Sequence, residues 1–402
     1  MYILEDAPVA APVYGDHDEQ TLNQFRNVLQ NAERGALMAD GHLGYVMPIG
    51  GVAAYKDKIS PVGVGFDIAC GNMAIKLDLK ADNFKVDPIL ERIQREISFG
   101  IGQTNPNAPS DHPLFESEKW TAYGDPSLIG ELKKLAREQL GTVGAGNHYV
   151  DIFKDEEHYI WVGVHFGSRG LGHKTASGFM NLSQDRPWQG RAPEVEVLLD
   201  IHSDLGSRYY TAMQLAGEYA YAGREWVCNM VADIIGAEII DSVHNHHNYA
   251  WKEKHFGEEY IVVRKGATPA FPGQRSFVGG SMGDISVILS GIDSDESKTA
   301  LYSTIHGAGR VMSRTKAAGK FKGWGKKRKR IKPGVIKKEE VEEILRKKGV
   351  KLRGGGLDEA PQVYRKLNEV LNEHQNTIEI EHRLQPLGVV MAGSDEYDPY
   401  KD

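Results

Sequence analysis

Apolar residues recur at helical spacing in some stretches of the chain and alternate with polar ones in shorter runs, and the two periods divide it into elements. Residues 21–34 read as a short helix, and the glycine-rich segment from Asp40 to Gly71, with its valines and isoleucines, reads as short strands and tight turns. Helical spacing returns at 127–140, ending in Gly141. The run from His158 to Val164, with Tyr159, Trp161 and Val162, reads as a strand delivering His165 at its end. Residues 195–236 are the longest helical region, with Leu198, Ile201, Leu205, Tyr209, Met213 and Leu215 on or near an apolar face. Strand-like runs follow at Glu259–Arg264 and Ile285–Leu289, and helices close the chain at Lys338–Lys348 and Val363–His374. Helices and strands mix without regular alternation, and no fixed-period repeat occurs. The pattern predicts an α+β fold, a single domain over 1–402 with mixed sheets and surrounding helices, rather than a doubly wound sheet or a solenoid.

Composition narrows this picture. The 402 residues are 41% hydrophobic, ample for a core. The two cysteines, Cys70 and Cys228, are far apart and form no CxxC, which excludes a disulfide framework and fits a reducing cytoplasm. The first residues lack the basic start and apolar run of a signal peptide, and no stretch is apolar enough to span a bilayer, so a cytoplasmic protein without a membrane partner is expected. The net charge of −7 hides an asymmetry: residues 316–353 hold 16 Lys and Arg against four Glu, a local +12 that leaves −19 for the remainder. Such a basic segment, here with Lys326-Lys327-Arg328-Lys329-Arg330 and the aromatics Phe321 and Trp324, is either solvated surface or an electrostatic footprint for a nucleic-acid backbone.

Candidate chemistry lies in loops rich in glycine and asparagine. Histidines occur in Gly146-Asn147-His148, His165-Phe166-Gly167-Ser168-Arg169, His244-Asn245-His246-His247-Asn248 and His306-Gly307-Ala308-Gly309-Arg310, while Asp67-Ile68-Ala69-Cys70-Gly71 adds a carboxylate and a thiol. Any one of these alone reads as structural: Cys70 as small buried packing, Asp40 in Asp40-Gly41-His42 as a turn former. Taken together, Asp67, Cys70, His148, His165 and one of His246 and His247 form a metal-ligand set. Its mixture of donors is unlike a closed structural zinc site and leaves Mn, Zn, Fe or Co open. The small residues after His306 permit close approach of a phosphate, Arg310 and Arg314 offer charge, and the histidine itself is a possible nucleophile. Gly280-Ser281-Met282-Gly283-Asp284-Ile285-Ser286 and Val263-Arg264-Lys265-Gly266-Ala267 add hydroxyls, amides and cations suited to a phosphate, though neither is a Walker A motif.

In order along the chain, Asp40-Gly41-His42, Pro48-Ile49-Gly50-Gly51-Val52, Gly65-Phe66-Asp67-Ile68-Ala69-Cys70-Gly71, Gly144-Ala145-Gly146-Asn147-His148, Gly167-Ser168-Arg169-Gly170, His246-His247-Asn248-Tyr249, Arg264-Lys265-Gly266-Ala267, His306-Gly307-Ala308-Gly309-Arg310 and Leu357-Asp358-Glu359-Ala360-Pro361 resemble the RtcB family of RNA-splicing ligases. The resemblance runs from about Asp40 to near Pro386 and implies a single large RtcB-like domain. It also implies GTP- and Mn2+-dependent joining of RNA 2',3'-cyclic phosphate or 3'-phosphate ends to 5'-hydroxyl ends, in RNA repair or tRNA splicing. By motif position His306 is the guanylylated nucleophile, and Asp67, Cys70, His148, His165 and His247 hold two Mn2+ ions. Asn147, Arg169, Lys265, Ser281, Ser286, Ala308 and Gly309 contact nucleotide or phosphate, Asp151 stands where the family has a guanine-contacting acid, and an archease-type protein is the implied activator.

The chain departs from the family pattern at Phe166, where a small hydroxyl residue is common, at Asn72 for an apolar residue, and at Gly279 for a proline. Further departures are Val287 for an aromatic, Asp151 for a Glu, and an acidic tail after Val389-Val390-Met391-Ala392-Gly393 in place of Lys-Gly. These keep two other readings open: a paralogue that transfers nucleotide or opens cyclic phosphate without sealing, and an RNA-binding subunit without catalysis.

Overall fold

A computed structural model describes residues 1–109, 111–193, 195–323 and 329–393. Trp324, Lys326, Lys327 and Arg328 of the basic run, and the acidic tail beyond Gly393, lie outside the described residues. The fold is α+β with mixed sheets. The larger sheet runs in the order Ile239–His246, Gly71–Lys80, Tyr159–Phe166, Tyr149–Lys154, Ile378–Met391, Ser286–Gly291 and Arg275–Val278, with Lys351–Arg353 pairing parallel to Ile378–Met391. The second sheet runs Tyr2–Leu4, Ala11–Val13, Arg34–His42, Ile49–Tyr55, Glu258–Lys265 and Asn248–His255. One chain segment joins them, because strand Ile239–His246 ends the larger sheet and Asn248–His255 edges the smaller. His247 is the single residue between the two strands, held there by its amide donating to the Cys70 carbonyl at 2.9 Å.

The 32-residue helix Asp204–Ile235 lies across the larger sheet. The Ser203 hydroxyl accepts from the Gly206 amide at its start, and Gly236 at φ 78° ends it in the left-handed conformation that glycine tolerates. Val227, Cys228 and Val231 on its inner face pack with Ile75, Val162, Val164 and Phe166 of the sheet, all fully buried. Each such side chain contributes about 1.5–3 kcal/mol relative to exposure.

Several boundaries differ from the sequence pattern for local reasons. Asp18 caps the first helix through the Thr21 amide, so it spans Glu19–Leu29, and Arg34 already opens a strand. Residues 195–203 stay outside the long helix because Leu199–Asp200 pairs with Lys58–Ile59. His165 and Phe166 belong to their strand rather than to the loop after it, since His165 pairs with Asn72 on one side and Tyr149 on the other. The stretch 363–374 is helical only over Leu367–Asn372, following a short 3-10 turn at Pro361–Val363. Helices Pro126–Gln139 and Lys338–Lys348 match their apolar spacing to within a residue. No described helix is long and apolar enough to cross a membrane.

Candidate active site

The candidate metal-ligand residues arrive from four places in the fold and meet at the ends of the central strands. Cys70 immediately precedes strand Gly71–Lys80, His148 immediately precedes Tyr149–Lys154, His165 is penultimate in Tyr159–Phe166, and His247 sits in the crossover between sheets. Cys70, His165 and His247 each bring one ligand atom to within 4.8 Å of the others, and Asp67, Cys70 and His148 do the same. Cys70 is common to both groups: its Sγ is 3.5 Å from His165 Nε2 and 3.6 Å from His148 Nε2, and His148 Nε2 is 3.0 Å from Asp67 Oδ2. Gly167 makes the approach of Asp67 possible, because a Cβ there would stand 2.2 Å from Asp67 Oδ1.

The electrostatics suit a cation. Burial opposes ionisation of Asp67, but contacts with His148 and then Arg169 outweigh it and bring its pKa down to about 2. Burial first, then neighbouring imidazoles, hold His165 and His247 far below the ordinary histidine range, so both are neutral, the form that ligates metal. Burial and then the Asp67 carboxylate push the Cys70 thiol well up, a cost that a bound cation would remove. His165 is oriented by its Nδ1, 2.6 Å from Asn72 Oδ1, while Asn72 Nδ2 donates to the Phe277 carbonyl at 2.9 Å. This contact turns Nε2 toward Cys70, the outer support that metal-binding imidazoles characteristically have. The residues present therefore fit a divalent metal. His246 does not join them: its Nδ1 lies 2.8 Å from Arg224 Nη2, on the other side of the crossover from His247.

His306 stands beside this set, its ring 4.8 Å from that of His247. Its partner is Asp40, which the sequence pattern reads as a turn residue but which is fully buried on strand Arg34–His42. Asp40 Oδ2 accepts from the His306 and Gly307 amides at 3.0 and 3.1 Å. It also lies 2.6 Å from His306 Nδ1, a close contact off the line of an aligned hydrogen bond. Burial opposes the Asp40 charge, yet His306 and its amide prevail and hold the carboxyl below its usual range. Gly309, at φ 75°, lets the loop turn against Asp40, whose carbonyl would be 2.3 Å from a Cβ there; Ala308 is buried beside it.

The remaining expected contacts divide. Tyr149 Oη, Asp151 Oδ1 and Ser281 Oγ are buried without a partner among the described residues, the condition of groups that await a polar ligand. Burial pushes the Asp151 carboxyl well up, which favours its neutral form. Ser286 Oγ accepts the Gly280 amide and shapes the loop 280–286. Gly279, the departure from proline, is required by Tyr149, whose hydroxyl would lie 2.0 Å from a Cβ at that position. Arg169 opens helix Arg169–Leu182 at φ 54° and reaches Thr142 and the Gly100 carbonyl, and Asn147 is exposed just before His148. The Lys265 ammonium donates to the carbonyls of Tyr45 and Val62, and burial lowers its pKa to about 7. Arg310 and Arg314 are committed to ion pairs with Glu359 and Asp358, so their charges are already countered. Sequence reasoning missed Asp40, Asn72 and Arg224 as parts of the site. The one signal for Asn72 was a polar residue in a largely apolar run, whereas Arg224, next to Glu225, left none.

Comparison with known proteins agrees with this arrangement of motifs. The family model described as tRNA-splicing ligase RtcB matches residues 22–392. Among curated relatives, the tRNA-splicing ligase RtcB of Thermococcus kodakarensis is 29% identical over 92% of this chain and 91% of its own. The RNA-splicing ligase RtcB of Escherichia coli strain K12 is 29% identical over 96% and 97%, and the tRNA-splicing ligase RtcB of Methanococcus maripaludis is 30% identical over 92% and 91%. With the match covering nearly the whole length and the ordered histidine loops converging on one centre, the chain belongs to the RtcB family.

Proposed function

We propose that this chain is an RNA ligase that uses GTP and Mn2+ to join a 2',3'-cyclic phosphate or 3'-phosphate end to a 5'-hydroxyl end through a guanylylated His306, in RNA repair or tRNA splicing. The observation that carries the proposal is the placement of His306, held by Asp40 at Nδ1, with its ring against His247 of the donor set. Asp67, Cys70, His148, His165 and His247 would hold two Mn2+ ions, with Cys70 common to both. Bound there, the ions would supply Lewis-acid stabilisation of phosphate charge.

Asp40 leaves the His306 Nε2 lone pair free to attack the α-phosphorus of GTP. A P–N bond forms, the α–β phosphoanhydride breaks, and pyrophosphate leaves. Water opens a cyclic phosphate to the 3'-phosphate. That phosphate takes the guanylate from His306, and attack by the 5'-hydroxyl forms the phosphodiester and releases GMP. Tyr149, Asp151 and Ser281 offer unpartnered polar atoms for the nucleotide, Asn147, Ser286, Ala308 and Gly309 shape its approach, and Arg169 and Lys265 contribute positive charge to the site. The partners proposed are RNA ends and an archease-type activating protein.

The test is incubation with Mn2+ and GTP labelled at the α-phosphate. Acid-labile label on the wild type and none on His306→Ala is expected. Label that survives His306→Ala would sink the assignment, and label without joining of a broken RNA stem-loop would favour nucleotide transfer without sealing.

A further inference from the structure

Arg224 lies in the middle of helix Asp204–Ile235, fully buried, and none of the loop motifs includes it. Among the described residues its guanidinium hydrogen-bonds neutral groups. Nη1 donates to the carbonyls of Ala69 at 3.0 Å and Phe166 at 2.6 Å, Nη2 lies 2.8 Å from His246 Nδ1, and Nε donates to His244 Nε2 at 2.8 Å. Three of these partners share one property. Ala69 is the residue before Cys70, Phe166 the residue after His165, and His246 the residue before His247.

One side chain thus grips the immediate chain neighbour of each member of the group Cys70, His165 and His247, which come from three separate segments. We propose that Arg224 is a positioning residue that sets Cys70, His165 and His247 into one cation-binding geometry by clamping their neighbours. The inference rests on reading that group as a metal site.

Three observations support it. Ala69 is held at φ 59°, a left-handed conformation that an L-residue adopts only when its surroundings fix it; the Arg224 contact to its carbonyl and the Ala69 amide bond to the Asn248 carbonyl at 2.7 Å are those surroundings. The planar fork of a guanidinium presents five donors in fixed directions, so it can satisfy partners from three segments at once, which a single ammonium point cannot do. A buried cation whose partners are carbonyls and imidazoles is also poorly explained by stability alone, since an apolar residue of similar size in a helix packed on a sheet would avoid the desolvation. The contact accounts for the tandem His246-His247 as well: His246, the last residue of its strand, meets the clamp, and His247, in the crossover after it, meets the donors.

The test uses the full chain stripped of metal and titrated with Co2+. The readout is the thiolate-to-Co2+ charge-transfer absorption, which reports Cys70 in the coordination sphere independently of activity. Arg224→Lys and Arg224→Met are compared with Val227→Ala, which removes packing from the same buried helix face without touching the clamp. Co2+ binding about 10- to 100-fold weaker, with a weakened band, is expected for both Arg224 variants. Val227→Ala is expected to keep the wild-type band and affinity. Wild-type titration of Arg224→Lys, or an equal loss in Val227→Ala, overturns the proposal. Should neither Arg224 variant fold, His246→Ala removes one arm of the clamp, and unchanged affinity and band in that variant overturn it equally. A wild-type protein that gives no thiolate band refutes the metal reading itself, an outcome distinct from failure of the clamp.

Discussion

Two side chains in the site have properties that their neighbours impose. Asp40 is buried on a strand with Oδ2 accepting from the His306 and Gly307 amides and facing the His306 ring nitrogen, so it fixes the loop and places a negative charge beside that ring. Asp40→Asn keeps the shape but removes that charge from beside the proposed nucleophile. The initial rate of acid-labile guanylate formation is expected to fall on the order of 10²-fold or more. A variant that labels at the wild-type rate removes Asp40 from the mechanism. Lys265 carries a different consequence. Its pKa is lowered to about 7 by burial, against an ordinary value near 10.5, so between those values the unfolded chain binds a proton that the native chain does not. Stability conferred by position 265 therefore rises with pH from 7 toward 10, by up to about 1.4 kcal/mol per unit, and is flat below 7, where both states are protonated. Urea unfolding of wild type and Lys265→Met across pH 6 to about 9 measures it. A difference between the two proteins that stays constant with pH would show that Lys265 keeps an ordinary pKa and stays protonated in the folded chain.

At the level of elements, the departures from family pattern are absorbed by packing. Phe166 replaces a small residue, and its ring lies in the core between sheet and long helix. Gly223 faces it: a Cβ on that glycine would stand 3.4 Å from the ring edge, in van der Waals contact. Phe166→Ala empties that space beneath a helix pinned by its own caps, and a loss of about 3–5 kcal/mol is expected by urea titration. A loss under about 1 kcal/mol would mean that the helix settles onto the sheet. This pairing also marks what could be read from the chain. The helices at 126–139 and 338–348 and the strand carrying His165 were legible because burial imposes a period on consecutive residues. The histidines that converge on the candidate site were legible as a group because close backbone approach requires glycine, which leaves a local motif. Asp40 was not, because Asp-Gly-His has the composition of a turn and its partner lies 266 residues away. Arg224 was hidden for a related reason: beside Glu225 in a helical stretch it reads as an ordinary charged position, and its contacts come from residues 69, 166, 244 and 246. Asn72 was visible as a departure, but its purpose is a contact with His165 across the strand pair.

Across the whole molecule, charge is divided so unevenly that it selects where a polyanion can land. The segment 316–353 carries +12 while the rest carries −19, so the proposed RNA is attracted to one region and repelled elsewhere. Within that segment the helix Lys338–Lys348 pairs its own charges, as in Lys338 with Glu342 and Lys347 with Glu343, and adds little net field. The two-stranded ribbon Gly319–Lys322 and Lys329–Pro333 is different: Lys320, Lys322, Lys329, Arg330 and Lys332 are exposed there, and neither strand contains an acid. Exposed lysines on both strands offer point charges suited to phosphates rather than to base edges, so the ribbon's contribution should be insensitive to sequence and sensitive to salt. Replacing Lys320, Lys322, Lys329 and Lys332 together by Gln is expected to weaken binding of single-stranded RNA equally across sequences. It should also flatten the slope of log K against log salt by about 0.7 for each phosphate that the protein no longer neutralises. Fluorescence anisotropy with two RNAs of unrelated sequence, titrated at several salt concentrations, measures both quantities at once. If affinity falls for only one RNA, the ribbon reads bases rather than phosphates; if neither affinity nor slope changes, RNA enters the site from another direction and the basic ribbon is solvated surface.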